Sequence, residues 1–221
     1  MAEWPDLRYQ IVAILRGVKP DEVEAIAEAL IEEGVEAIEV PLNSPEPFES
    51  IRRLAARFGD RALIGGGTML TIADIENVHA VGGRLMVSPN AVPDVIRRAA
   101  ELGMVTMPGV LTPAEAFAAL AAGASALKFF PAGVLGPAGI AAIKAVLPNS
   151  AVVGAVGGVG PDNMAEYMNA GVKAFGLGTA LYQPGDKADA VRARVRPAVK
   201  AYREAAGQGK ARLAGFSARA L

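Results

Sequence analysis

The chain has 221 residues, 52% of them hydrophobic and 20% charged, and its net charge is −1. That length suits one domain with a sizeable core, and that balance excludes a disordered or fibrous chain, a basic nucleic-acid footprint and a polybasic membrane patch. There is no cysteine and a single histidine, His79, so disulfides, a thiolate nucleophile, Cys-bound zinc and a His-rich metal site are excluded.

The first ten residues, MAEWPDLRYQ, carry acids and no apolar stretch of signal-peptide type. No apolar run reaches the ~18–20 residues that would span a bilayer. The expectation is a cytoplasmic protein. Strand-like runs then follow at Ile11–Leu15, Ala37–Val40, Ala62–Ile64, Leu85–Val87, Val105–Met107, Ala126–Phe129, Ala151–Ala155 and Ala174–Leu177. Between them lie Ala/Glu/Arg-rich stretches with helical spacing.

Helix starts are signalled at Pro20-Asp21-Glu22, where acids favour the first turn, and at Thr112-Pro113-Ala114-Glu115, a capping box with proline at N1. A third helix is expected to open at Gly160-Pro161-Asp162. Helix stops are signalled by Gly34, Gly103, Gly123 and Gly171, each followed at once by a strand. Eight such units predict an α/β protein, a single-domain (β/α)8 TIM barrel over residues 1–221, with lean loops. The order of the tail 206–221 is left open by its mixed composition. An open doubly wound sheet is the other arrangement, but no GxGxxG follows the first strand, where Arg16-Gly17-Val18-Lys19 stands.

The C-terminal ends of barrel strands carry the active site in this architecture. Those ends here supply Arg16, Glu39, Thr68, Pro89-Asn90, Pro108, Lys128, Gly157-Gly158 and Gly178-Thr179. Lys128, inside the apolar run SALKFFP, is the sharpest signal. A dry pocket favours the neutral amine, which attacks ketones to form a Schiff base; the alternative is a lysine snorkelling from a strand end. Glu39 sits between Ile38 and Val40, so alternation sends it to the opposite face, as a salt-bridge partner or as a proton shuttle. The glycines of GAVGGVGPDN and GLGTALY suit either tight turns or phosphate held by bare N–H groups. LIGGGTML reads as a further glycine-rich turn ending in the Thr68 hydroxyl. His79 reads as a structural helix residue, and Trp4, Phe129 and Phe130 as core or pocket wall.

AILRG (13–17), EVPLNSP (39–45), LIGGGTML (63–70), SPN (88–90), LKFFPA (127–132) and VGGV (156–159) together resemble the 2-keto-3-deoxy-6-phospho-sugar-acid aldolases, class I pyruvate aldolases, over about residues 8–205. Pro41-Leu42-Asn43-Ser44 and Val156 are similar to the galactonate branch, whereas gluconate-type enzymes tend to carry Thr-Leu-Arg-Thr and threonine there. Thr179 departs from the serine more usual in the family but keeps a hydroxyl.

The resemblance implies a Schiff base on Lys128 and proton transfer by Glu39. It implies substrate contacts from Arg16, Thr68, Pro89, Val156 and Gly157, and a phosphate site at Gly158, Gly178 and Thr179. It implies a phosphorylated 2-keto-3-deoxy sugar acid as substrate, a homotrimer, and no metal or other cofactor. The rivals are the gluconate epimer as main substrate, a barrel phospho-sugar isomerase or epimerase, and a non-catalytic sugar-phosphate binder.

Overall fold

The computed structural model describes residues 2–217, with side chains as far as Gly207. Its strands and helices alternate: β1 (Ile11–Ile14), α1 (Val23–Glu32), β2 (Ala37–Pro41), α2 (Pro47–Phe58), β3 (Leu63–Gly67), α3 (Ile72–Ala80), β4 (Leu85–Val87) and α4 (Pro93–Glu101). Then come β5 (Val105–Met107), β6 (Gly109–Val110), α5 (Pro113–Ala121), β7 (Leu127–Phe129), α6 (Ala132–Lys144), β8 (Val153–Val156), α7 (Met164–Asn169), β9 (Ala174–Leu177) and α8 (Ala188–Ser217). The tail from residue 206 continues α8 as far as Ser217; residues 218–221 lie outside the described part.

Nine strand segments appear where the sequence predicts eight strands. They pair in the order β5-β4-β3-β2-β1-β9-β8-β7-β6, parallel at every seam. β5 and β6 terminate that order and are separated only by Pro108. A proline has no N–H to give a ladder, so it splits one strand into two while its carbonyl still accepts from Lys128 N at 2.9 Å. The sheet is therefore the eight-stranded wall of a (β/α)8 barrel.

Period-two alternation sorts the side chains. Val12, Ala37, Leu85, Val87, Met107, Ala126, Val156 and Ala174 form the cluster inside the barrel. Ile11, Ala13, Ile38, Val40, Leu127, Phe129 and Phe175 face the helices and join the larger outer core. Burying a side chain such as Leu127 or Phe129, each fully inaccessible, contributes roughly 1.5–3 kcal/mol. Trp4 and Leu7 pack against the inner cluster from the N-terminal segment, with Trp4 Nε1 donating to Gln10 Oε1 at 2.6 Å.

Local signals place the helices. Thr112 and Glu115 form the expected capping box at α5, and Thr71 with Asp74 forms a second at α3. Gly34, Gly103, Gly123 and Gly171 all have positive φ after their helices, where a Cβ would be strained. α7 starts later than Pro161 suggests: residues 161–163 are a turn, because Asn163 Oδ1 accepts from Gly160 N at 2.9 Å and holds the chain out of the helix. Gly65–Gly67 form the end of strand β3, not a turn. Among the described residues no helix is long and apolar enough to cross a membrane.

Candidate active site

The C-terminal ends of the strands surround a cavity of about 290 Å³. Lys128 and Glu39 reach it from β7 and β2, and Arg16, Thr68 and Pro89 from the segments after β1, β3 and β4. Val156, Gly157 and Gly158 enter at the end of β8, Gly178 and Thr179 after β9. All the residues the resemblance assigns to the site thus line one cavity, whereas Asn90 and Pro108, also at strand ends, do not line it. His79 sits in the last turn of α3 and does not line it.

Lys128 belongs to the inward-facing row of Ala126 and Phe130, while Leu127 and Phe129 point outward. Its register partners are Gly109 and Gly154, so no side chain flanks it within its own row. The residue is only 6% exposed, which leaves the amine out of bulk water and sets the snorkelling reading aside. Its Nζ lies 4.7 Å from the centre of the Phe130 ring. Burial pushes its pKa down; the Glu39 charge opposes that, and Arg16 adds to it.

Glu39 is 2% exposed, and its Oε2 has no hydrogen-bond partner among the described residues. The salt-bridge alternative therefore fails: no ion pair joins Glu39 to Lys128. Burial lifts the carboxyl from 4.5 to about 7, against the pull of Lys128 and Arg16. That shift is worth on the order of 3 kcal/mol. The carboxylate lies directly against Gly67, where a Cβ would overlap it. Glycine at the end of β3 thus makes room for the acid on β2.

The remaining wall is backbone. Gly157 and Gly158 have φ of 81° and 80°, a conformation that favours glycine. Gly133 N, at the start of α6, donates to Gly157 O, and Asn163 Nδ2 donates to Gly158 O, both at 2.9 Å. Across the cavity, Leu181 N and Tyr182 N close a turn on Gly178 O. The N–H groups of Gly158, Val159, Thr179 and Ala180 meet no acceptor among the described residues. Two sets of unpaired donors at one rim suit an anion. Thr68 also holds a left-handed φ of 57°, rare for a threonine and here at the cavity wall.

The structure adds residues that sequence reasoning passes over. Ile14, Gly176, Val159, Ala180, Tyr182 and Pro184 also line the cavity. A Cβ on Gly176 would fall 2.6 Å from Val156 Cγ2, so that glycine sets the depth of the Val156 wall. Tyr182 donates from its hydroxyl to Glu22 Oε1 at 3.1 Å, across 160 residues, and nothing local announces it. Among the described residues no cluster of three His, Asp or Glu side chains could hold a metal.

Residues 7–194 match the family described as KDPG and KHG aldolase. A Rhizobium meliloti protein named probable 2-dehydro-3-deoxy-6-phosphogalactonate aldolase is 57% identical over 90% of this chain and 93% of its own. The Escherichia coli 2-dehydro-3-deoxy-6-phosphogalactonate aldolase is 47% identical over 88% of this chain and 95% of its own. A solved structure described as native KDPGal superposes with a TM-score of 0.90 at 45% identity, covering 93% of this chain and 99% of that one.

The buried carboxyl makes stability depend on pH. Because its folded pKa is raised, Glu39 contributes stability that is full below pH 4.5 and is lost as pH rises through about 7. Thermal melts of Glu39→Gln and the parent chain should run parallel below pH 4.5. Across the window the variant should gain on the parent as pH rises. Parallel curves throughout would show that the carboxyl is not perturbed.

Proposed function

The chain belongs to the KDPG and KHG aldolase family, and from that premise we infer that it is a class I aldolase cleaving 2-dehydro-3-deoxy-6-phosphogalactonate to pyruvate and D-glyceraldehyde 3-phosphate. The observation that carries this reading is Lys128, a buried amine with no carboxylate paired to it, inside a cavity that also holds a proton carrier.

The neutral amine of Lys128 adds to the C2 ketone, and loss of water gives the protonated imine. Glu39, with a carboxyl near neutrality, takes the proton from the C4 hydroxyl, directly or through water. The C3–C4 bond then breaks, and its electron pair moves into the imine to form an enamine. The phosphorylated aldehyde leaves. Protonation at C3 and hydrolysis return pyruvate and the free amine. Arg16 and Thr68 hold the oxygens of the pyruvyl end, with Pro89 as wall. The N–H donors around Gly157, Gly158, Gly178 and Thr179 hold the phosphate.

Val156 lies beside C4, where the two epimers differ. It presents methyl groups, deepened by the missing side chain at Gly176, and cannot hydrogen-bond the C4 hydroxyl of the gluconate epimer as a threonine would. A second copy is the partner we propose for the rim, in a homotrimer. Leu70, Val92, Phe117 and Val134 are 46%, 38%, 46% and 73% exposed, in the segments and first two helical turns that follow the neighbouring strands β3, β4, β6 and β7. Such an arc of large apolar side chains is a surface that association covers.

Incubation with pyruvate and borohydride should add a reduced pyruvyl group to Lys128, seen in the intact mass and the modified peptide. Lys128→Met should take no label and cleave no substrate while melting as a folded protein; label elsewhere, or cleavage by the variant, would sink the assignment. The kcat/KM for the galactonate epimer should exceed that for the gluconate epimer by ~10–200-fold. A ratio at or below one would reverse the epimer choice. Light scattering should report the mass of three chains, and Phe117→Asp should lower it; a parent protein that scatters as a monomer would refute the trimer.

A further inference from the structure

Arg16 is held differently from the arginines that pair with acids on the helices. Arg57 pairs with Glu24 at 2.7 Å, Arg98 with Glu76 at 2.9 Å and Arg192 with Glu32 at 2.6 Å. Arg16 instead donates from Nη1 to Asn43 Oδ1 at 2.6 Å, and no carboxylate pairs with it among the described residues. Its charge nevertheless reaches the reacting centre, where it favours ionised Glu39 and the neutral amine of Lys128.

The backbone beneath Arg16 is fixed from both sides. The buried Ser44 Oγ accepts from Gly17 N at 2.9 Å, and Ser44 N donates to Pro41 O at 2.9 Å. Gly17 has a φ of +84°, and a Cβ there would stand 2.9 Å from Pro184 Cγ in the segment after β9. With the turn immobile, the freedom left is in the arginine side chain, whose ordering costs roughly 2 kcal/mol when a ligand must impose it. A neighbouring acceptor can impose it beforehand.

We infer that Asn43 is a positioning residue for Arg16: its neutral amide oxygen fixes the guanidinium at the cavity rim and leaves the positive charge uncompensated for an anionic substrate. An aspartate there would hold the same geometry but cancel the charge. An alanine would leave the charge and release the side chain. The inference rests on the reading that Arg16 meets the substrate.

The test is a double-mutant cycle with steady-state cleavage of 2-dehydro-3-deoxy-6-phosphogalactonate, using the parent, Arg16→Ala, Asn43→Ala, the double variant, and Asn43→Asp. Asn43→Ala should raise KM about tenfold and change kcat by less than about twofold, and should add nothing once Arg16 is gone. Asn43→Asp should fold as the parent does yet also raise KM. An equal effect of Asn43→Ala with and without Arg16, a parent-like KM for Asn43→Ala, or a parent-like KM for Asn43→Asp would overturn the inference. If Arg16→Ala itself leaves KM unchanged, the substrate-contact reading of Arg16 falls first, and borohydride labelling of Lys128 in that variant shows whether the imine chemistry stands without it.

Discussion

An amine kept out of water, with no carboxylate within ion-pairing distance, is the constraint around which this barrel is arranged. A buried ammonium without a partner is unfavourable by several kcal/mol. The chain resolves that by surrounding Lys128 with conditions that favour its neutral form: a buried strand end and the positive field of Arg16. Glu39 is desolvated in parallel, and its carboxyl rises to about 7. Two groups that would be a charged pair in water are pushed toward each other's range, the condition in which protons pass between a catalyst and its substrate at neutral pH.

Glycine serves this arrangement in two physically separate ways. At Gly67 and Gly176 its absent side chain makes space, for the Glu39 carboxylate in one case and for Val156 in the other. At Gly157 and Gly158 its positive φ lets the backbone present N–H groups at a rim. The first use excludes substitution by bulk; the second excludes it by conformation.

The parts legible in the sequence are those encoded locally. Alternation placed Glu39 and Lys128 inside the barrel because their neighbours Ile38, Val40, Leu127 and Phe129 are apolar and outward. The strand runs agree closely with the ladders, and the Thr112 cap stands where its pattern puts it. What stayed hidden depends on neighbours distant in the chain. The three glycines of β3 resemble a turn until the Glu39 carboxylate and the Leu85 backbone are seen to occupy the space a Cβ would need. The Tyr182–Glu22 bond spans 160 residues, and the Arg16–Asn43 bond spans 27. The split at Pro108 needed the barrel closure itself, since only the pairing order shows that β5 and β6 are one strand.

The N-terminal segment has a consequence for traffic. Trp4 and Leu7 pack against the inner cluster at the foot of the barrel, and the cavity that holds Lys128 opens at the other end, among the C-terminal ends of the strands. On the reading proposed here, water expelled when the imine forms, the aldehyde released after cleavage and the water that hydrolyses the imine all share that doorway. On that same reading the phosphate end lies nearest the rim and the pyruvyl end is tethered to Lys128 deeper in the cavity. Departure is therefore last-in, first-out: the aldehyde clears the mouth before pyruvate is freed, and in the condensing direction pyruvate loads first.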